Sequence, residues 1–222
     1  MRTLEVAFDA SGAAEAGSRG RVVAVVDVVD AATSAEAAVA MGALDVFGAA
    51  PAGAAPPVPV NPAAVATRAA TVALRRGTDV VVVAEPRVGA ADERLGRVAP
   101  VTAGLEAAGV SYEVVANQGA EVAGLAALTG RVVVVVSTTG GTAFDAALAA
   151  GAPGACFVTT ARVAGMTGWE VTRMGALRAI DLADRHGGAL SLVAASANST
   201  DDCLAAFEVA RAVIDQRFLR PD

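Results

Sequence analysis

The chain contains no lysine: all 17 of its basic residues are arginine. That absence excludes Schiff-base chemistry on a lysine amine and any phosphate loop built around one. An anionic ligand must therefore be met by arginine, by backbone N–H groups or by a metal ion. Histidine is nearly absent as well. The single one, His186, stands in Asp184-Arg185-His186-Gly187-Gly188, where a cation in the last helical turn before glycine reads as a C-terminal helix device. The only cysteines, Cys156 and Cys203, lie in or beside apolar segments and read as small buried hydrophobes, not as a disulfide.

Aromatic residues are scarce too, with six Phe, one Trp and one Tyr, and the net charge is −6. An acidic chain with so few stacking side chains is not expected to bind nucleic acid. Long apolar runs are missing. Asp, Arg, Gly or Pro interrupts each stretch well short of the roughly 20 residues of a membrane-spanning helix. Met1 to Glu5 lacks the apolar core of a signal peptide, so the expectation is a cytoplasmic protein with no membrane partner.

What is present is alanine and valine. They carry most of the 55% hydrophobic content and a mean hydropathy of +0.54, and 222 residues suffice for one large α/β domain. Strand and helix patterns alternate along the chain. Strands are expected at 4–8, 21–27, 44–47, 80–84, 112–116, 132–136, 155–159 and 190–194. Helices are expected at 34–41, 62–76, 95–108, 120–128, 143–150, 169–184 and 201–218. Residues 11–20 and 50–60 read as flexible connections. The expected architecture is a three-layer α/β/α domain over residues 1–222, with a mainly parallel or mixed sheet.

An internal echo subdivides it. From Thr33 the chain reads Thr-Ser-Ala-Glu-Ala-Ala-Val-Ala-Met-Gly-Ala, and 109 positions later, from Thr142, Thr-Ala-Phe-Asp-Ala-Ala-Leu-Ala-Ala-Gly-Ala. Chance in an alanine-rich chain is one explanation. The other is a pair of related strand-loop-helix-strand units, with halves at 21–116 and 117–218, whose polar loops open at one sheet edge.

Those loops carry the candidate chemistry. Five valines, Val132 to Val136, run into Ser137-Thr138-Thr139-Gly140-Gly141-Thr142. Hydroxyls and glycines at the carboxyl end of a buried strand offer bare N–H groups to an oxyanion, although a threonine-capped turn is an alternative reading. Asp27 follows a second buried strand, where a carboxylate is costly without a partner or metal. Asp201 and Asp202 follow a third, after Ser199, and either bind a metal or serve as helix N-terminal charges. Carboxylates facing hydroxyls would suit magnesium and a phosphoryl group. Glu85 and Arg87, after the strand 80–84, add a carboxylate and a cation at the same edge.

Together these segments resemble the 2-phosphosulfolactate phosphatase family of magnesium-dependent enzymes. The likeness lies in Val25-Val26-Asp27-Val28 with Ala31-Ala32-Thr33-Ser34, in Val135 to Thr142, and in Ser199-Thr200-Asp201-Asp202-Cys203-Leu204-Ala205-Ala206. Weaker echoes are Glu85 and Asn117-Gln118-Gly119-Ala120-Glu121. The resemblance implies a phosphatase of a small phosphorylated hydroxy acid with a magnesium cofactor. Asp27, Glu85 and Asp202 would be catalytic, Glu85 as general base, and Asp27 and Asp201 would bind the metal. Asp30, Thr33, Arg87, Asn117, Ser137, Thr138, Thr139, Gly140, Gly141, Thr142 and Ser199 would contact substrate, with a homodimer left open. Three departures stand out: Asp30 where the family has arginine, Gly140 where it has asparagine, and Thr160-Ala161-Arg162-Val163 in place of an asparagine-containing segment. They leave a second reading in play, a lyase, isomerase or binding protein for a small anionic metabolite, and a third, a structural subunit.

Overall fold

The computed structural model describes residues 1–163 and 165–219. Among the described residues eight strands are interspersed with seven α-helices: β1 (Thr3–Phe8), α1 (Asp9–Ser18), β2 (Val22–Val26), α2 (Ala31–Ala40), β3 (Asp45–Ala49), α3 (Pro62–Arg76), β4 (Val80–Ala84) and α4 (Ala91–Ala107). They continue with β5 (Tyr112–Ala116), β6 (Val132–Val136), α5 (Gly140–Ala149), β7 (Ala155–Val158), α6 (Gly168–Arg185), β8 (Ala189–Ala194) and α7 (Thr200–Asp215).

All pairings are parallel, in two four-stranded sheets ordered β1-β8-β2-β7 and β3-β6-β4-β5. This is the expected three-layer α/β/α arrangement. The all-apolar strands are buried on both faces, as parallel strands between helices must be. Val22, Ala24 and Val26 meet α6 and α7, while Val80, Val82, Val132 and Val134 meet α3 and α4. The alternate residues Val23, Val25, Val81, Val83, Val133 and Val135 share one core cluster with α1, α2 and α5. The sheets meet where β3 approaches β7: the Phe144 and Phe157 rings stack 5.0 Å apart, and a Cβ on Gly48 would fall 2.5 Å from Phe157.

The internal echo has a structural counterpart. The unit β2-α2-β3 leaves the first sheet and enters the second, and β6-α5-β7 makes the reverse crossing. The two units exchange sheets, so each sheet draws strands from both 21–116 and 117–218. The halves are intertwined.

Two expectations fail. Residues 11–20 are not a loop; most of them form α1, packed on α5. The glycines that argue against a helix permit this packing, since a Cβ on Gly17 would lie 2.4 Å from the Ala147 carbonyl oxygen. The helix expected at 120–128 is a short 3₁₀ segment, Gly119–Gly124, entered through left-handed Gly119 (φ 61°). Residues 50–60 carry no regular secondary structure. No helix among the described residues is long and apolar enough to cross a membrane.

Candidate functional site

The crossing of α2 and α5 decides where the site lies. Because the two units exchange sheets, the loop after β2 and the loop after β6 meet at the seam. Asp27, fully buried at the end of β2, accepts the Thr139 hydroxyl (2.8 Å) and the Gly140 N–H (2.9 Å) on Oδ2, and the Ala31 N–H (3.3 Å) on Oδ1. Gly140 has to be glycine for this approach, since a Cβ there would lie 2.6 Å from Asp27 Oδ2.

Asp27 takes part in none of the described ion pairs. Burial raises its carboxyl pKa to about 6, and the negative charges of Asp202 and Glu85 add to the rise, while the Thr139 and Gly140 donors pull it down. Asp202 is the inward member of its pair. It is buried, receives the Val28 N–H at 2.9 Å, and is itself raised by burial. Asp201, expected as a metal ligand, is instead exposed, and it lines a cavity of about 560 Å³ with Val28, Thr160, Leu204, Phe207 and Arg211. Helical periodicity explains the split, because adjacent residues on α7 point about 100° apart. Ser199 caps α7 by accepting the Asp202 N–H (3.2 Å), which gives it a structural role.

The loop after β6 spends its donors inside the protein. Thr138 gives its N–H (3.0 Å) and hydroxyl (3.2 Å) to Glu85 Oε2. The Gly141 N–H goes to Ser137 Oγ (2.7 Å), and the Thr142 N–H and hydroxyl both go to the Ser137 carbonyl (3.2 and 3.1 Å). Ser137, Gly141 and Thr142 are buried. They build the turn rather than present free donors, and a Cβ on Gly141 would stand 2.3 Å from the Ala49 carbonyl oxygen. Thr138 is the exposed member.

A second cluster flanks the seam. Asp30 pairs with Arg87 at 2.6 Å, and Gly119 lies against both. Asp30 is thus neutralised by an arginine from the connection after β4. Thr33 donates to the Val28 carbonyl (2.8 Å) and shares a hydrogen bond with Thr159 (3.0 Å). Asn117, buried after β5, accepts from Ser34 (2.5 Å) and the Gly119 N–H (3.2 Å), leaving its Nδ2 buried without a hydrogen-bond partner. His186 is the exposed C-cap of α6, and both cysteines are free thiols.

Two paired charged residues escape sequence reasoning. Arg97, on α4, reaches Thr138 Oγ1 (2.5 Å) and Glu85 Oε2 (3.8 Å). It stands in a helix of mixed polarity, and nothing local marks it. Glu36, on α2, is buried and paired with Arg178 of α6. Its carboxyl pKa is pushed up to about 7 by burial, against the pull of Arg178. Its signal lies in the echo, because Asp145 occupies the same step of the second unit.

Among the described residues no three His, Cys, Asp or Glu side chains gather into a metal cage. Magnesium does not require one, being held by one or two carboxylates together with water and substrate oxygens. Asp27 and Asp202 are hard-oxygen groups near enough for the charge of one to raise the pKa of the other, and Asp27 has no partner among the described ion pairs, which fits such an ion. No protein-family model matches the chain, and no curated protein is significantly similar to it.

Proposed function

We propose that the chain is a magnesium-dependent phosphatase of a small phosphorylated hydroxy acid, of the kind its motifs resemble. One observation carries the reading. Asp27 is buried at the carboxyl edge of β2, within the electrostatic reach of Asp202, with hydroxyl and amide donors around it but no cation among the described ion pairs. Such a group calls for positive charge, which a divalent ion and its phosphoryl ligand would share.

Asp27 and Asp202 would hold magnesium, which when bound supplies charge neutralisation at phosphoryl oxygens and a more acidic water. The Thr139 hydroxyl and Gly140 amide keep the Asp27 carboxylate fixed at the seam, and Asp202 ties the Val28 backbone to α7. The Asp30–Arg87 pair limits the repulsion that Asp30 alone would impose on an anionic substrate. The exposed Leu204, Phe207 and Ile214 on α7 make a homodimer part of the proposal, to be read by sedimentation.

The test is phosphate release from phosphoglycolate, phospholactate and related esters, with and without magnesium. Magnesium-stimulated release is expected from at least one ester, and Asp27→Asn should reduce it at least a hundredfold. Full activity in that variant would remove Asp27 from the mechanism. A second reading has its own support, because the loop donors at Thr138 and Gly140 are already occupied by protein carboxylates. Under that reading the scaffold binds or isomerises an anionic metabolite. No release from any ester, accompanied by a rise in melting temperature with a small anion, would favour it.

A further inference from the structure

We infer that the Glu85 carboxylate is an internal oxyanion seated in a phosphate-class subsite formed by Thr138 and Arg97, and that a tetrahedral oxyanion of the ligand takes its place. The choice of a phosphoryl group rests on the phosphatase reading; the seat itself rests on geometry. The Thr138 N–H and hydroxyl both reach Glu85 Oε2, at 3.0 and 3.2 Å. Arg97 Nη2 stands 3.8 Å from the same oxygen while touching Thr138 Oγ1 at 2.5 Å. An amide, a hydroxyl and a guanidinium, drawn from two separate elements, thus surround one anionic oxygen. That donor set is suited to a phosphoryl oxygen, and arginine adds the planar fork that phosphate engages in two places.

Burial does not lock Glu85 into this seat. Its side chain is 23% exposed and Arg97 is 30% exposed, so both can exchange partners with solvent. Glu85 opens the irregular connection 85–90; its backbone N–H is held by the Val136 carbonyl of β6 (3.3 Å), and its side chain belongs to no helix or strand. Its Oε2 already accepts two hydrogen bonds, an arrangement that suits occupancy of an anion site better than removal of a proton from water. The role differs from the general base expected from sequence: Glu85 competes with the ligand, and the apparent affinity is lowered by the fraction of time the carboxylate is seated.

The experiment is calorimetric titration of inorganic phosphate, without magnesium, into the full chain and into Glu85→Gln, Glu85→Ala and the double variant Glu85→Gln/Arg97→Gln. Phosphate should bind about tenfold more tightly to both single variants, with the gain lost in the double variant. A gain below threefold in both single variants, or a gain retained in the double variant, overturns the inference. Ester hydrolysis with magnesium is measured in parallel. Tightened phosphate binding without hydrolysis keeps the subsite and removes the phosphatase; hydrolysis without tightening removes only the subsite.

Discussion

Glu36 on α2 and Asp145 on α5 stand 109 positions apart, the same spacing that separates Thr33 from Thr142, and both carboxylates are buried. Each is the one acid in its helix of the internal echo. They are satisfied differently. Glu36 pairs with Arg178, whereas Asp145 accepts the Ala50 N–H (3.1 Å) and the Asn61 N–H (2.6 Å) and so anchors both ends of the irregular 50–60 connection. Both helices of the echo carry a buried acid at this step with a different partner, and the two strand-loop-helix-strand units cross between sheets in opposite directions and meet different neighbours.

Removing the partner of Glu36 should be costly. Arg178→Met leaves a buried carboxylate uncompensated, for an expected loss of about 3–5 kcal/mol at pH 8. The pH dependence has a definite sign. With a folded-state pKa raised from 4.5 to about 7, Glu36 weakens folding as pH rises through that window. Losing Arg178 widens the effect. Chemical denaturation at pH 5 and pH 8 should therefore show a smaller penalty at the lower pH, and Glu36→Gln/Arg178→Met should recover most of the loss. Equal penalties at the two pH values would contradict this.

Asp27→Asn should separate stability from activity. The native carboxyl pKa, raised from 3.8 to about 6, means that ionised Asp27 opposes folding above that range in the metal-free protein. Two pKa units correspond to about 3 kcal/mol, partly offset by the mismatch of an amide with the Ala31 N–H. The metal-free variant should melt roughly 5 °C higher than the parent at pH 7.5, with little difference at pH 4. Scanning calorimetry in a chelating buffer measures both. Lower stability at pH 7.5 would mean that the hydrogen bonds of Asp27 outweigh its desolvation.

Two glycines should respond in opposite directions to the same methyl group. In Gly141→Ala the new Cβ meets the Ala49 carbonyl oxygen at 2.3 Å and the Val135 carbonyl oxygen at 3.0 Å. Backbone cannot move aside cheaply, so a loss of about 3 kcal/mol is expected. Gly96, in the exposed part of α4, has nothing within 4 Å of such a Cβ. Gly96→Ala should stabilise by about 0.5–1 kcal/mol through the lower entropy of the unfolded chain. Urea titrations of the two variants check the contrast.

Particular residues show how much of the fold and site was legible. The valine strands 80–84 and 132–136 and the helix 62–76 agree with their expected bounds, because β-branched runs and a Pro-to-Gly-bounded helix are local signals. The α1 segment Asp9–Ser18 was hidden, since its glycines and serines lower helix propensity and its stability comes from close packing on α5. At the site, Asp27, the Ser137 to Thr142 loop, Glu85 and Asp202 were nominated from strand ends, and the tertiary structure joins Asp27 to Thr139 and Gly140, Glu85 to Thr138, and Asp202 to the Val28 N–H. Asp201 and Ser199 were nominated by the same adjacency, and they turn to the cavity rim and to the α7 cap.

By itself the sequence determined the alternation of strands and helices, the apolar character of the buried strands and the exclusion of lysine chemistry, because all of these follow from residue type and local period. Only the tertiary structure decided which strands are neighbours. Valine runs are interchangeable as local signals, and the order β1-β8-β2-β7 and β3-β6-β4-β5 is set by long-range packing of α2 and α5 as they cross between sheets. That crossing alone places Gly140 against Asp27 and pairs Arg87 with Asp30, while the docking of α4 brings Arg97 to Thr138. Electrostatic partnership is a property of distance in space, and 113 positions of chain separate Asp27 from Gly140.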